Sequence, residues 1–162
     1  MAKAAPETET DAAERIEVRP SELDELTHAE MLALYAACGE TTRFAKHQQW
    51  GTLLGTLVIF VLLGVIGDLA YKGTLLFKLV VAISIVLSVG AIYSLIIYQF
   101  WQNAEREKLN FIAPYLSNLT GIVREMVPER ERNVHRYVLL FFMVASIILG
   151  NALLIVYLAP KL

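Results

Sequence analysis

Two histidines are the residues of this sequence whose chemistry points most directly to a cofactor. His47 and His135 each stand a few residues before a long apolar run, so both would lie at a similar depth if the runs cross a membrane. Two imidazoles at one depth could ligate a haem iron or another metal ion. The alternative is that both are ordinary histidines at a membrane surface. Because no other pattern in the sequence supports a cofactor pocket, we predict no metal and no cofactor.

Small and polar residues inside the apolar runs form the second group of candidates. Asn151 is the most polar side chain near the middle of a run, and we expect it to hydrogen-bond a neighbouring helix rather than to contact a substrate or an ion. Three pairs of small residues stand four positions apart, which places both members on one helix face, where two backbones can approach closely. The pairs are Gly51 and Gly55, Ser84 and Ser88, and Ser146 and Gly150.

Motifs of enzyme chemistry are missing from the sequence. It contains no G-x-S-x-G, no H-E-x-x-H and no phosphate-binding glycine loop, which are the patterns that place nucleophiles, metals and phosphates. The single cysteine, Cys38, excludes an internal disulfide and a multi-cysteine metal site. The net charge of −2 gives no indication of a nucleic-acid partner. We therefore predict neither an enzyme nor a nucleic-acid-binding protein.

The elements that must position these residues are long apolar helices. Hydrophobic residues make up 56% of the chain and charged residues 19%, against about 45–50% and about 25% in soluble proteins. The excess is concentrated in three runs, at about 51–70, 79–100 and 137–159. Because about 20 helical residues cross a hydrocarbon core of about 30 Å, each run is long enough to span a membrane. The sequence predicts an all-α integral membrane protein with three transmembrane helices.

Five segments follow from this pattern. Residues 1–20 read as a disordered acidic tail, and residues 21–49 as a cytoplasmic amphipathic helix, capped at Ser21 or Thr27 and open to interruption at Gly39. Residues 50–100 form an antiparallel transmembrane hairpin. Residues 101–136, interrupted at Pro114, lie in the inner interface or pack on the first amphipathic helix. Residues 137–162 give the third transmembrane helix and a short outer tail.

Charge predicts the orientation of these helices. Of the 14 lysines and arginines, all but Lys72, Lys78 and Lys161 lie before the first run or between the second and third runs. Because lysine and arginine are enriched in cytoplasmic segments, the N-terminus is predicted inside and the C-terminus outside. Trp50 and Trp101 stand at the ends of the runs that this topology puts at the inner interface, where indole rings anchor. We expect a multi-pass protein of a bacterial inner membrane.

The arrangement of a helix ending in Arg43-Phe44-Ala45-Lys46, a membrane hairpin and a further helix resembles the SLATT-type effector domains, a family thought to form pores in bacterial defence. The resemblance covers about Leu26 to Leu119, carries no diagnostic motif and leaves the third run unexplained. It implies a homo-oligomeric pore.

Three functions remain open after these observations. The leading prediction is a non-enzymatic accessory or scaffold component, which contacts the lipid bilayer and either other membrane protein subunits or further copies of itself. The alternatives are the homo-oligomeric pore and a small haem-binding redox subunit that would use His47 and His135.

Overall fold

Three long helices make up most of the described structure. The computed structural model describes residues 19–70, 75–118, 120, 122 and 129–161. The predicted tail, residues 1–20, lies almost entirely outside these ranges. Within them no strand occurs, and the helices are α1 (Glu25–Leu69), α2 (Leu75–Ile112) and α3 (Glu129–Leu158). Short 3-10 turns follow α2 at Ala113–Tyr115 and α3 at Ala159–Lys161.

All three helices are long and apolar enough to cross a membrane, which confirms that part of the prediction and gives the chain the architecture of a multi-pass membrane protein. The 45 residues of α1 measure about 67 Å at 1.5 Å per residue, more than twice the thickness of a hydrocarbon core. Both α1 and α2 therefore continue beyond their apolar runs. We call this continuation, residues 25–49 of α1 and 101–112 of α2, the stalk.

The N-terminal boundary of α1 differs from the prediction. Asp24 caps the helix by accepting a hydrogen bond from the backbone N–H of Thr27 at 3.1 Å, so the predicted caps at Ser21 and Thr27 are wrong. Ser21 instead donates its hydroxyl to the Tyr115 carbonyl at 2.8 Å. A carboxylate accepts hydrogen bonds from helix N–H groups at least as well as a hydroxyl does, so Asp24 is a suitable cap. The Ser21 hydroxyl is engaged in its long-range hydrogen bond to Tyr115.

No break occurs at Gly39, where the sequence allowed one. Gly39 lies inside α1, which is continuous from the stalk into the apolar run. A glycine within a helix costs about 1 kcal/mol relative to alanine. Ending the helix there would leave several backbone groups without partners, which costs more than one glycine does.

The interruption at Pro114 is confirmed. Proline has no N–H and its ring clashes with the preceding turn, so an α-helix cannot run through it. Accordingly α2 ends at Ile112 and the chain tightens into the 3-10 turn. The segment after the turn meets the start of the described chain, where the Arg19 N–H donates to Asn118 Oδ1 at 2.7 Å. These contacts tie the free ends of the stalk together.

The core is a seam between α1 and α2 that α3 covers on one side. Buried residues recur every three or four positions on both helices, apart from one gap of seven on each, as in antiparallel coiled coils. On α1 they are Cys38, Ala45, Gln49, Leu53, Thr56, Phe60, Leu63 and Gly67. On α2 they are Phe77, Val80, Ser84, Ser88, Ala91, Leu95, Gln99, Gln102, Glu105 and Ile112. Helix α3 runs parallel to α1 and packs against both partners through residues such as Met143, Ile147 and Leu158.

We name the two ends of this bundle by the hairpin. The loop end is where α1 passes to α2, near residues 70 and 75. The open end is where the apolar runs of α1 and α2 meet the stalk, near Trp50 and Trp101.

Candidate functional site

Toward the loop end, the predicted serine pair lies in the seam but makes no interhelical hydrogen bond. Ser84 and Ser88 are both buried in the bundle. Their hydroxyls donate within α2, to the carbonyls of Val81 and Ser84, both at 2.8 Å. On α1, the buried Thr56 likewise donates its hydroxyl within its own helix, to the Thr52 carbonyl at 2.7 Å. Hydroxyls that bond within their own helix are not available to bind a ligand in the seam.

The predicted glycines divide into two groups. A Cβ on Gly150 would stand 3.1 Å from side-chain carbons of both Leu57 and Phe60, so its missing side chain lets α3 approach α1. Gly67 serves the same contact further along, where a Cβ would lie 2.8 Å from Leu158. Gly51 and Gly55, in contrast, are exposed, and a Cβ there would meet nothing within 4 Å. Among the residues that the structure describes, those two glycines make no close contact with another helix.

The remaining members of the predicted packing set lie on α3. Ser146 is half-buried and donates to the Phe142 carbonyl at 2.8 Å. Asn151 is half-buried, and its side-chain oxygen is buried without a hydrogen-bond partner in the described part of the chain. Among these residues, Asn151 Oδ1 therefore does not accept the interhelical hydrogen bond that the sequence predicts.

The aromatic and histidine candidates lie around the open end. Trp50 and Trp101 are 41% and 44% exposed, so both rings face outward at the boundary of the apolar runs. His47 and His135 are also exposed. Across the described residues, no group of three or more His, Cys, Asp or Glu side chains could hold a metal ion.

A polar layer fills the seam at the open end, and its centre is a pair of amides. Gln102 Nε2 donates to Gln49 Oε1 at 2.9 Å, and Gln49 Nε2 donates to the Leu95 carbonyl at 3.2 Å. Both glutamines are almost fully buried, with exposures of 3% for Gln49 and 0% for Gln102. A carbonyl oxygen has two lone pairs, so Leu95 can accept this bond in addition to its helical one. The amide pair joins α1 to α2.

A second chain of amides extends the layer to α3. Gln99 Nε2 donates to Asn103 Oδ1 at 3.1 Å, one turn along α2. Asn103 Nδ2 in turn lies 3.4 Å from the Tyr137 hydroxyl at the start of the apolar run of α3. All three helices are therefore connected by side-chain hydrogen bonds at one level.

A buried carboxylate stands next to the amides, within the stalk. Glu105 is only 7% exposed, and Lys108 Nζ donates to it at 2.7 Å. This bond lowers the pKa of Glu105, and further hydrogen bonds from Cys38 and Trp101 lower it too, against the opposing effect of burial. Burial raises the pKa of the Cys38 thiol, and the hydrogen bond to Glu105 adds to that effect. Cys38 is therefore a neutral donor rather than a reactive thiolate.

Three cations border the layer, one from each helix. Lys46, Arg106 and Arg136 are all half-buried. Burial lowers the pKa of Lys46, and the positive charges of Arg106 and Arg136 lower it further. The Arg136 guanidinium also lies 5.5 Å from the ring centre of Tyr137, within range of a cation–π contact.

This arrangement is suited to structure and binding, because Gln49 and Gln102 bond to each other and the charge of Glu105 is balanced by hydrogen-bond donors. Gln102 Oε1 is buried without a hydrogen-bond partner among the described residues. Sequence reasoning missed Gln49, Gln99 and Gln102. The spacing of Glu105 and Lys108 along one helix does predict their ion pair, which the structure confirms, but not the burial of Glu105. The signal was present on α2, where Gln99, Gln102 and Glu105 continue the spacing of three and four that starts at Phe77. A polar residue that falls on an otherwise buried stripe is a candidate for a buried hydrogen-bond network.

Comparison with known proteins gives no assignment. No family model matches the chain, and no similar protein was found among the curated proteins or the solved structures. The resemblance to the SLATT-type domains therefore stays a prediction.

Proposed function

We propose that this protein is a non-enzymatic, multi-pass component of a bacterial inner membrane, which acts as an accessory or scaffold through contacts of its helices. In this proposal the open end and the stalk face the cytoplasm and the loop end faces outward. The distribution of lysine and arginine supports this orientation, because these residues are enriched in cytoplasmic segments. The lysine and arginine residues nearest the open end come from all three helices.

The observation that carries the scaffold function is an apolar line on the exposed side of the stalk. Leu26 is 73% exposed and Phe44 is 52% exposed. They are 18 residues apart, which is five turns of a helix, so they lie on the same face of α1. Exposed Ala33 and Ala37 stand between them on that face. Apolar residues facing lipid need no explanation, but an apolar line outside the apolar run favours contact with another protein.

Crosslinking tests this function. A photoreactive amino acid at Phe44 should give a discrete adduct of higher mass in intact membranes. Arg43 is the matched control, since it is exposed and adjacent but lies on a different face of α1. The adduct mass separates a second copy of this chain from a different subunit, and both outcomes support a scaffold. Absence of any adduct from both Leu26 and Phe44 would overturn the proposal.

Orientation is tested separately. A reporter fused after Leu162 should be extracytoplasmic, and one inserted near residue 130 should be cytoplasmic. Reversed readings would refute the proposed orientation, and identical readings at both places would mean that α3 does not cross the membrane.

A pore is less well supported than a scaffold. The hydroxyls of Ser84 and Ser88, which could wet a path, are buried and bond within their own helix. A path lined mainly by apolar side chains tends to exclude water. Reconstituted protein should therefore leave liposomes sealed to small ions, and reproducible single-channel currents would replace the scaffold by the pore.

A further inference from the structure

Two cations of the open end are brought to one level by the amide pair. Lys46 stands one turn before Gln49 on α1, and Arg106 stands one turn after Gln102 on α2. Gln49 and Gln102 are in contact at 2.9 Å, and the two helices are antiparallel. Because the helices are antiparallel, moving back along α1 and forward along α2 leads in the same direction. Lys46 and Arg106 therefore lie at the same level of the bundle, and the charge of Arg106 acts on Lys46.

Helix α3 adds the third cation at this level. Asn103 lies 3.4 Å from the Tyr137 hydroxyl. Arg106 is one turn beyond Asn103 on α2, and Arg136 adjoins Tyr137 on α3. The three positive charges therefore lie at one level, each on a separate helix, and the charges of Arg106 and Arg136 both act on Lys46.

The charges in this cluster repel one another. Burial lowers the pKa of Lys46, and repulsion by Arg106 and Arg136 lowers it further, with no carboxylate of the described residues contributing. Cations held together and partly out of water are stabilised by an anion placed between them.

The depth of the three cations in the membrane indicates which anion is available to them. Each of the three is the basic residue nearest to the apolar run of its helix at the open end. Trp50 and Trp101 stand just beyond them at the start of the apolar runs, at the depth where indole rings lie in bilayers. Lipid phosphates occupy that same level, and basic pockets between transmembrane helices bind the headgroups of acidic lipids.

We propose that Lys46, Arg106 and Arg136 together bind one phosphate group, and that the headgroup of an anionic phospholipid supplies it. Arg106 and Arg136 also make other interactions. A guanidinium has five N–H donors in a planar fork, so it binds phosphate oxygens in addition to its other partners. The proposal requires the membrane insertion of the proposed function, but neither its orientation nor its protein partner.

Native mass spectrometry of the full chain tests this site. The protein is released from micelles that contain equal amounts of dioleoyl phosphatidylglycerol and dioleoyl phosphatidylcholine. Wild type should retain the anionic lipid in preference to the zwitterionic one. Lys46→Gln, Arg106→Gln and Arg136→Gln should each reduce that retention about fivefold, the usual effect of one cation near an anionic lipid. Lys46→Arg, which keeps the charge, should restore it.

Two controls remove the same charge elsewhere. Arg43→Gln alters an exposed residue one turn from Lys46, and Lys78→Gln alters an exposed residue near the loop end. Both should change retention less than twofold if binding is local rather than a response to net charge. Equal losses in the controls and the site variants, or equal retention of both lipids by wild type, would overturn the proposal.

Inorganic phosphate distinguishes the source of the anion. If millimolar phosphate displaces the anionic lipid from wild type, the site is a phosphate site open to soluble ligands as well. If it does not, the lipid headgroup is the ligand. Failed crosslinks at both Leu26 and Phe44 would refute the scaffold while leaving lipid retention unchanged, so failure of the two proposals can be told apart.

Discussion

The loop-end and open-end halves of the bundle hold the same helices together by different means. Toward the loop end, α3 approaches α1 at Gly150 and Gly67, and the hydroxyls of α2 are satisfied within α2. At the open end, Gln49 and Gln102 bond across the seam and Glu105 accepts several donors. One half depends on shape and the other on hydrogen-bond partners.

The difference follows from the surroundings of each half. Within lipid there is no hydrophobic force that favours helix contacts over lipid contacts, so close packing of small residues must supply the attraction. At the boundary with water, polar side chains can be inserted without the full cost of desolvation, and once buried they bond only in one register. Packing therefore brings the helices together, and the amides specify how they align.

The largest expected effect comes from adding side-chain volume in the loop-end half, where the helices are held by close packing. Gly150→Leu would drive a side chain into Leu57 and Phe60, where even a Cβ would lie at 3.1 Å. Overpacking of this kind costs roughly 1–3 kcal/mol. Titration with SDS in mild detergent, followed by circular dichroism, should show unfolding at a lower SDS fraction.

Gly55→Leu is the matched control, since a Cβ on that glycine meets nothing within 4 Å. It should leave the stability of the monomer unchanged or slightly higher, since leucine favours a helix more than glycine does. It reports on self-association if oligomer size falls. Equal destabilisation by both substitutions would show that the contrast between the two glycines is wrong.

The second prediction removes a partner from the polar half. Gln102→Leu would leave the buried Gln49 side-chain oxygen without its donor. Interhelical hydrogen bonds in membrane proteins contribute about 0.6 kcal/mol on average and rarely more than about 1.7 kcal/mol. We expect destabilisation of about 1 kcal/mol in the same SDS titration.

The double variant Gln49→Leu/Gln102→Leu completes the cycle. It should be more stable than the sum of the two single effects implies, because the second substitution removes an amide that was already unpaired. Strict additivity would mean that the two amides do not depend on each other.

The sequence predicted the structure of the loop-end half better than that of the open-end half. Three spans, the hairpin and the helix end before Pro114 all follow from run length and from the missing N–H of proline, which are local properties. The position of Gly150 against Leu57 could not be derived, because a four-residue spacing fits Gly51 and Gly55 equally well. Only the relative placement of α1 and α3 decides which glycine is covered.

The candidate polar layer was not predicted for a related reason. Gln49 and Gln102 are 53 positions apart, and nothing local marks them as partners. Treating the amphipathic helix and the first span as separate elements hid the continuous stripe from Cys38 to Gly67 on α1. Once α1 is continuous, Gln49 falls on that stripe, where it meets Gln102 of α2.

The third prediction concerns acid. The pKa of Glu105 is lowered in the folded protein, chiefly by the hydrogen bond from Lys108 and then by Cys38. Its ionised form therefore adds stability at neutral pH, present above its usual value of 4.5 and lost as the pH falls through the lowered pKa. The effect should be smaller than that of the amides, since the Lys108 side chain is 60% exposed.

Unfolding of wild type and Glu105→Gln at a series of pH values checks this sign. Wild type should lose more stability than the variant between neutral pH and pH values below 4.5. The two stability curves should converge at the acid end. A variant that loses stability in parallel with wild type would show that other carboxyls carry the acid dependence.

The smallest effect is expected from removing a hydroxyl in the shape-dependent half. Ser88→Ala deletes a group whose only hydrogen bond described is to the Ser84 carbonyl of the same helix. That carbonyl keeps its helical N–H partner, and alanine favours helix slightly more than serine does. The volume change is one oxygen atom, so the free energy of unfolding should stay within about 0.5 kcal/mol of wild type. The same SDS titration measures it, with Gln102→Leu as the reference for a polar group that bonds across the seam. A loss above about 1 kcal/mol would place Ser88 in an interhelical bond after all, and the polar and apolar halves would no longer differ in kind.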